Sequence, residues 1–331
     1  MRIRTKSGLE FLQLNGKSIL SSAESEGLQL SYSCRVGRCS SCKCKVLGGE
    51  TIALSDELGL SESEKSEGWI LSCVRAAASE LFLELEDLGS DRLPESKTFP
   101  CRISQLEKLS DDVINVVLRL PPGRAFEFFA GQHLEVIGKD RLRRSYSIAN
   151  AMRSDNQIEL HVRAVSGGLM SEYWFEKATV EDLLRINGPL GTFFLRKLKG
   201  RHLLFFATGT GIAPVKAMLE WLATAPSDEK PDSIRVYWGG RKIDDLYLDN
   251  IAEGLDFQFF PVLSKPHSQW AGAVGYVQNV FLQESGNIEN TVVYACGSEA
   301  MIHSARHLMT ELGLPGQQFF SDAFVSSEPI S

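Results

Sequence analysis

The sequence predicts a multidomain α+β and α/β protein, with a small mixed sheet, then an antiparallel β-barrel, then a doubly wound parallel sheet. Short strand and helix patterns occur before residue 88, and six short alternating segments follow between residues 101 and 186. From residue 202 onward, apolar strand-like runs alternate with helix-length segments. The 331 residues and 43% hydrophobic content are sufficient for several packed cores.

Breaks in the apolar pattern predict the domain boundaries. Residues 88–98, LGSDRLPESKT, are polar and contain Gly and Pro, which is typical of a linker. We therefore expect a first domain over residues 1–88, a linker over 89–98, a second domain over 99–197 and a third over 198–331.

The charge and the apolar runs exclude two classes of partner. The net charge is −7 and there is no basic stripe, which argues against nucleic-acid binding. No apolar run of about 18 residues occurs, and the N-terminus lacks the apolar segment of a secretory signal. We expect a cytoplasmic protein with no nucleic-acid or membrane partner.

The first domain contains a cysteine-rich loop, SYSCRVGRCSSCKC, with one further cysteine about thirty residues on. Cys34, Cys39, Cys42 and Cys73 have the C-x4-C-x2-C…C spacing of plant-type ferredoxins, in which four thiolates hold a [2Fe-2S] cluster. Cys42-Lys-Cys44 leaves zinc as an alternative, although no second C-x2-C pair follows. Disulfides are the other alternative, and seven cysteines without a secretory signal argue against them.

The segments around this loop predict the β-grasp sheet of ferredoxins. Two strands are expected around Ser7-Gly8, a helix over 18–25, and strands over 43–47, 69–72 and 81–85. The acidic stretch 55–67 is either a solvated loop and helix or a docking face for a redox partner.

The second domain alternates over 101–106, 113–120, 133–137, 146–148, 158–162 and 183–186, which predicts an antiparallel barrel. Within it, alternation along Arg143–Ala149 places Arg144 and Tyr146 on one strand face and Ser147 on the other. This R-x-Y-S motif resembles that of the ferredoxin-NADP reductase superfamily. The resemblance implies that Arg144 pairs with the flavin pyrophosphate, Tyr146 packs on the isoalloxazine ring and Ser147 reaches flavin N5.

Two further motifs follow in the order that this superfamily has. A strand, a glycine turn and a helix start could cradle phosphate, and Asn187–Phe193 matches the G-P-x-G-x-F turn of the same barrels. The residues of the first of these motifs that we expect at FAD are His161, Val162, Arg163, Gly167, Gly168, Leu169, Met170 and Ser171.

The third domain begins with a strand, a T-G-T-G-I-A-P turn and a helix. Strands are predicted over 202–207, 233–238, 257–262 and 291–295, with helices near 244–252, 275–282 and 299–312. The resemblance places a nicotinamide nucleotide at the carboxyl ends of these strands. The residues expected there are Thr208, Gly209, Thr210, Gly211, Gly239, Arg241, Cys296 and Gly297.

The resemblance also assigns two residues to the hydride-transfer site. Cys296 is expected near the nicotinamide C4, and Phe324 is expected to cover the second flavin face, with plain packing as the alternative for each. His303 and His307 lie four apart on a predicted helix and are interpreted as solvated, because no third metal ligand accompanies them.

The three domains together predict an electron-transfer reductase. A nicotinamide gives two electrons as hydride and a [2Fe-2S] cluster takes one, so the flavin between them must divide the pair. The order of domains is similar to that of reductase components of bacterial aromatic-ring and phenol oxygenases. It is also similar to that of CDP-6-deoxy-Δ3,4-glucoseen reductases, which deliver electrons to an iron-sulfur dehydrase in 3,6-dideoxyhexose synthesis. The sequences VYACGSEAMI and FFSDAFVSS resemble this second group more.

The motifs and the charges near them predict which flavin and which nicotinamide nucleotide bind. FAD is favoured over FMN because two motifs provide for a pyrophosphate. Arg241 and Lys242 could bind an NADP 2′-phosphate, whereas Asp244 and Asp245 would repel it, and the resemblance favours NADH. A flavin or cluster sensor without a redox partner is the remaining alternative.

Overall fold

The computed structural model describes residues 1–86, 88, 93–123, 126–138, 141–284 and 286–324. Residues 89–92 of the predicted linker and the tail from Val325 lie outside the described residues. The chain divides into two compact units. Of the described residues, those within 1–93, 191–193 and 321–324 form one unit, and those within 94–190 and 194–320 form the other. Within the described ranges, no helix combines the length and the apolar character needed to cross a membrane.

The first unit is a mixed sheet packed on a helix, as the sequence predicted. Its sheet has the order β2-β1-β7-β3-β5, with β1 and β7 parallel and a separate β4-β6 pair. Its core includes Ile3, Phe11, Leu20, Leu71 and Leu83, all at most 2% exposed. The elements are β1 Arg2–Thr5, β2 Glu10–Leu12, α1 Ile19–Ser25, β3 Lys43–Gly48, β4 Thr51–Ala53, α2 Glu62–Ser66, β5 Trp69–Leu71, β6 Arg75–Ala77 and β7 Leu81–Glu84.

The second unit begins with an antiparallel barrel. Its strand order is β11-β10-β13-β8-β9-β12, and a bridge between Ile148 and Leu160 joins the two ends, so that the barrel is nearly closed. This confirms the predicted barrel. The elements are β8 Lys97–Lys108, β9 Val113–Arg119, β10 His133–Ile137, β11 Arg143–Ser147, β12 Gln157–Arg163, α3 Leu169–Glu172, a π-helical turn Tyr173–Lys177 and β13 Leu183–Leu190.

The parallel sheet of the second unit has the order β17-β16-β15-β14-β18-β19. Its central strands are almost continuously buried, as expected when helices cover both faces. The strands are β14 His202–Thr208, β15 Ser233–Gly240, β16 Gln258–Leu263, β17 Ala273–Val274, β18 Thr291–Ser298 and β19 Phe319–Phe324, of which residues 321–324 belong to the first unit. The helices are α4 Ile212–Thr224, α5 Val277–Glu284 and α6 Glu299–Glu311, with 3-10 turns at Gly209–Gly211, Ile243–Asp245 and Gly316–Gln318.

One predicted helix of this sheet was wrong. Residues 244–252 form only the end of a 3-10 turn followed by irregular chain. The cause is Asp245, whose carboxylate accepts backbone hydrogen bonds from Arg241 at 2.7 Å and Lys242 at 3.1 Å. Short acidic side chains that bind nearby backbone compete with a regular helix.

Candidate functional site

The cysteine loop of the first unit is a tight, irregular turn. Arg35, Gly37 and Ser40 have φ values of 59°, 76° and 62°, in the left-handed region. A Cβ at Gly37 would lie 2.3 Å from the carbonyl oxygen of Asp56. Glycine is therefore required where the loop passes against residue 56.

The four predicted cluster cysteines lie together as two pairs. The backbone N–H of Cys34 donates to Cys39 Sγ at 3.3 Å, and that of Cys39 donates to Cys34 Sγ at 3.4 Å. A hydrogen bond with the Cys39 thiol lowers the pKa of Cys34 to about 6, despite burial. The Cys42 thiol likewise lowers the pKa of Cys73.

The Cys34–Cys39 and Cys42–Cys73 pairs provide the four thiols that a two-iron cluster needs. Two pairs of thiols, one pair for each iron, are what a [2Fe-2S] cluster requires. Cys44 belongs to neither pair. Its side chain lies on β3 and is buried in the core of the first unit, and this burial raises its pKa to about 12.

Residues distant in sequence hold the start of the cysteine loop within the first unit. The backbone N–H of Tyr32 donates to Thr192 Oγ1 at 2.8 Å, and Thr192 Oγ1 donates to the Tyr32 carbonyl at 2.9 Å. The hydroxyl of Ser33 donates to the carboxylate of Asp322. Both anchors lie within two residues of Cys34, so they restrain the position of the first predicted ligand.

One acidic residue near the loop is structural rather than solvated. Glu57 is 6% exposed and accepts from the backbone N–H of Leu71 at 2.7 Å. Its other oxygen accepts from Arg75 Nε at 2.9 Å and Nη2 at 2.6 Å. This bidentate pair, in which Glu57 is buried and Arg75 is partly exposed, ties the acidic stretch to β5 and β6 beside Cys73.

The R-x-Y-S motif forms β11, at one end of the barrel sheet. Tyr146 pairs in register with Leu134 and Arg144 with Val136, so both share a face with these core residues. The Tyr146 hydroxyl accepts from Trp174 Nε1 at 3.0 Å, and burial raises its pKa to about 12. The first flavin motif therefore contacts the helical segment that follows the second.

The second flavin motif has a glycine turn whose backbone is accessible. Gly167 has a φ of 71°, and a Cβ there would meet nothing within 4 Å. The Ser171 hydroxyl accepts from the Val165 N–H at 2.9 Å and keeps its own proton to donate. Leu169 is 64% exposed, whereas Met170 is buried. An open glycine turn with hydroxyl and backbone donors is suited to a phosphate.

The side chains of three β12 residues in that motif already bind or pack against other residues of the protein. His161 is buried and bonded through both ring nitrogens, and Val162 is buried in the barrel core. Arg163 lies 3.2 Å from Asp112 and 3.1 Å from Asp245 in two ion pairs. His161 and Val162 can therefore offer a ligand only their backbone groups.

The nucleotide turn at the end of β14 is packed against β18. A Cβ at Gly211 would lie 2.2 Å from the Cys296 carbonyl oxygen, and one at Gly297 would lie 2.2 Å from Thr208 Oγ1. Thr208 Oγ1 also accepts from the Ser298 N–H at 3.0 Å. The glycines permit two strand ends to meet where a parallel sheet binds its ligand.

The other predicted nucleotide residues surround this edge. Thr210 is 9% exposed within the turn, and a Cβ at Gly239 would lie 2.9 Å from Val277 Cγ1. Arg241 is exposed after β15. Cys296 is fully buried, so its thiol could contact a nicotinamide only after local movement.

Phe324 is the last described residue, at the end of β19, and is 39% exposed. Its predicted role at the flavin stays a prediction. His303 and His307 are exposed on α6, where His307 lies 3.3 Å from Glu311.

Sequence reasoning missed a buried polar chain in the second unit. It consists of Glu159, His161, Lys216 and Tyr247, and it joins β12 to α4 and to the loop after β15. Tyr247 lies in the segment that was wrongly predicted to be a helix. The sequence DDLYLDN could have indicated the error, because its apolar residues do not have the spacing of a helix.

The chain belongs to the family of flavin and [2Fe-2S] reductases built on the ferredoxin-NADP reductase plan. Models of three domain families match in order: a 2Fe-2S iron-sulfur cluster binding domain over residues 5–78, an oxidoreductase FAD-binding domain over 100–195 and an oxidoreductase NAD-binding domain over 205–307. The chain is therefore an NAD(P)H-dependent oxidoreductase with FAD and a [2Fe-2S] cluster, as predicted.

Relatives match almost the whole chain. It is 37% identical to the CDP-6-deoxy-L-threo-D-glycero-4-hexulose-3-dehydrase reductase of Yersinia pestis, over 97% of each chain. It is 31% identical to reductase component 1 of the terephthalate 1,2-dioxygenase of a Comamonas species, over 94% of this chain and 93% of that one. The solved structure of the Amycolatopsis cytochrome P450 reductase GcoB is 27% identical, with a TM-score of 0.70 and 98% of each chain covered.

Proposed function

We propose that this chain supplies electrons to a dehydrase that acts on a CDP-6-deoxyhexulose, the step of the CDP-6-deoxy-Δ3,4-glucoseen reductases in 3,6-dideoxyhexose synthesis. The observation that carries this proposal is the 37% identity to the Yersinia pestis dehydrase reductase over 97% of both chains, against 31% for the terephthalate dioxygenase reductase component. The predicted direction of electron flow is from NADH to FAD, to the cluster and to the iron-sulfur dehydrase.

Each cofactor has a proposed set of residues. Cys34, Cys39, Cys42 and Cys73 would hold the cluster, which supports one-electron transfer when bound. Arg144, Tyr146 and Ser147 of β11, with the turn from Gly167 to Ser171, would hold FAD. The turn Thr208–Gly211, with Gly239, Arg241, Cys296 and Gly297, would hold the nicotinamide nucleotide, and Phe324 would cover the flavin.

A preference for NADH over NADPH is supported by the loop after β15. Asp245 is committed to Arg163 and to the backbone of Arg241 and Lys242, so its charge is already compensated. Asp244 is exposed beside the same basic residues. We infer that Asp244 supplies the repulsion of a 2′-phosphate at this loop.

The domain boundaries and the cellular location also stay proposals. The boundaries are those expected from the sequence: domains over 1–88, 99–197 and 198–331, with the linker over 89–98. A cytoplasmic location is supported by the seven cysteines, all of which are thiols in the structure.

The test is a reconstitution with purified components. The reductase, NADH, the pyridoxamine-dependent dehydrase and its CDP-sugar are combined without oxygen, and formation of the 3-deoxy sugar product is measured. We expect turnover that requires all four components. The matched control, Cys42→Ser, should keep NADH reduction of its flavin and lose sugar turnover.

The second candidate partner is a terminal component of an aromatic-ring or phenol oxygenase, supported by the 31% identity to the terephthalate dioxygenase reductase component. The same reductase is therefore assayed with a terephthalate dioxygenase component and terephthalate. Faster turnover in this arm than with the dehydrase would overturn the sugar assignment. Failure in both arms, with rapid NADH-dependent reduction of ferricyanide, would indicate a different partner.

A further inference from the structure

A chain of buried hydrogen bonds in the second unit begins at Tyr247 and ends at α4. The Tyr247 hydroxyl lies 3.1 Å from His161 Nδ1, and His161 Nε2 lies 3.0 Å from Glu159 Oε1. Glu159 Oε2 lies 3.1 Å from Lys216 Nζ, which also donates to the Ala149 carbonyl at 3.2 Å. The side chains of His161, Glu159 and Lys216 are 0%, 12% and 12% exposed.

The protonation states of these groups decide which atom donates in each hydrogen bond. Burial lowers the pKa of His161, so its ring is neutral near pH 7. Burial alone would raise the pKa of Glu159, but hydrogen bonding from His161 and the charge of Lys216 outweigh it and lower the pKa to about 2. Because that carboxylate can only accept, His161 Nε2 donates to it and Nδ1 is left to accept.

Tyr247 supplies the donor. Burial raises the pKa of its hydroxyl well above the ordinary value, so the proton stays on the oxygen. Tyr247 therefore donates to His161, His161 donates to Glu159, and Lys216 holds Glu159 from the other side. Each group has a defined role, and such a chain specifies one arrangement of the elements that contribute to it.

The ring of Tyr247 connects this chain to the nucleotide turn. It meets Trp238 edge-on, with ring centroids 5.3 Å apart and planes at 90°. Trp238 Nε1 donates to the Gly209 carbonyl at 2.9 Å, at the start of the turn. Tyr247 thus links His161 on β12 to the predicted nucleotide site, through its ring contact with Trp238 and the hydrogen bond from Trp238 to Gly209.

A second connection runs beside the first. Arg163 lies two residues after His161 on β12, and Asp245 lies two residues before Tyr247 on the loop. Arg163 and Asp245 are 3.1 Å apart, and a Cβ at Gly209 would lie 2.7 Å from Arg163 Nη1. Two anchors on one strand thus hold both the loop and the nucleotide turn.

We propose that Tyr247 is a positioning residue for flavin reduction, because its hydrogen bond to His161 sets the nucleotide-binding edge against the barrel strand of the second flavin motif. The hydroxyl acts through His161 and Trp238 and not on the reacting atoms. The proposal concerns reduction of the flavin by the nicotinamide, so it holds whichever protein receives the electrons.

The test removes only the hydroxyl. Tyr247→Phe is prepared as full-length holoprotein, mixed anaerobically with NADH in a stopped-flow instrument, and flavin reduction is followed by absorbance. We expect the limiting rate to fall about tenfold, because small errors in the position of reacting groups are costly. The NADH concentration at half-maximal rate should change by less than about twofold, because the hydroxyl adds no uniform binding energy. The long-wavelength band of a stacked nicotinamide and flavin should weaken.

Two variants separate positioning from folding. His161→Gln keeps an amide oxygen that can accept from Tyr247 and should lose less rate than Tyr247→Phe. His307→Gln, at an exposed histidine with its own glutamate partner, should match the wild type. An unchanged limiting rate in Tyr247→Phe would overturn the proposal, as would a loss only in proportion to lost flavin. A wild-type protein that NADH does not reduce would instead contradict the family's activity.

Discussion

Gly211→Ala tests whether close contact between β14 and β18 shapes the nucleotide site. The added Cβ would lie 2.2 Å from the Cys296 carbonyl oxygen, 2.6 Å from its carbonyl carbon and 2.8 Å from the Gly297 nitrogen. All three atoms are backbone, so no side-chain rotation relieves the clash. Ordinary contact distances for carbon are roughly 3.5–4.0 Å, so the turn and the strand end must separate by about 1 Å or more.

That displacement has a predictable cost. Overpacking in a well-packed region destabilises by about 1–3 kcal/mol. A displacement of about 1 Å of a reacting group can reduce the rate about 100-fold. We therefore expect Gly211→Ala to reduce the rate of flavin reduction by NADH by about 10- to 100-fold and to lower the urea midpoint of unfolding.

The assay combines anaerobic stopped-flow reduction with urea denaturation of the holoprotein. The matched control is Gly316→Ala, because a Cβ at Gly316 would meet nothing within 4 Å. The reasoning would be refuted if Gly211→Ala and Gly316→Ala behaved alike in both measurements.

Three other predictions address cofactor choice, the cluster unit and the buried chain. Asp244→Asn should raise the NADPH to NADH ratio of kcat/KM about fivefold, since one exposed charge at close range is worth about 1 kcal/mol, and an unchanged ratio would contradict the role of Asp244. Glu57→Ala should lower the free energy of unfolding of the first unit by about 1–3 kcal/mol because the buried Leu71 N–H loses its acceptor, whereas a loss below about 0.5 kcal/mol would show that water replaces the carboxylate. Glu159→Gln should cost about 3 kcal/mol near pH 7, because folding lowers this pKa from 4.5 to about 2. That stabilisation is complete above pH 4.5 and is lost as the pH falls through about 2, so urea unfolding should show the two proteins converging in acid.

Local patterns were sufficient for most of the fold. Alternation along Arg143–Ala149 predicted a strand, and β11 confirms it with Tyr146 and Arg144 on one face. The apolar run before Thr208 predicted the first parallel strand, because a strand covered on both faces has no polar side. The cysteine spacing identified residues that the structure brings together.

The parts that were missed depend on partners distant in sequence. Tyr247 gains its role from His161, 86 residues away, and no periodicity near either residue records this pairing. Thr192 holds the start of the cysteine loop through Tyr32, which is 160 residues away in the sequence. No local pattern records this contact either. The helix expected over 244–252 failed because Asp245 binds backbone locally, which overrides average helix propensity.

The same distinction applies to side-chain roles. The motif predicts His161 at the flavin, and this stays a prediction. Its ring is bonded to Glu159 and Tyr247, so only its backbone is available there. Cys296 was expected beside the nicotinamide, and its thiol is fully buried. A motif can predict which strand faces a ligand, but the neighbouring residues decide which atoms of that strand remain available.

The central claim is that electrons enter as a pair and leave singly through the cysteine loop. Its most direct test is anaerobic titration of the purified holoprotein with NADH, followed together by optical absorbance and electron paramagnetic resonance. The account predicts bleaching of the flavin and the paramagnetic signal of a two-iron cluster reduced by one electron. Bleaching without that signal, or protein prepared without oxygen that contains no iron and acid-labile sulfide, would contradict it.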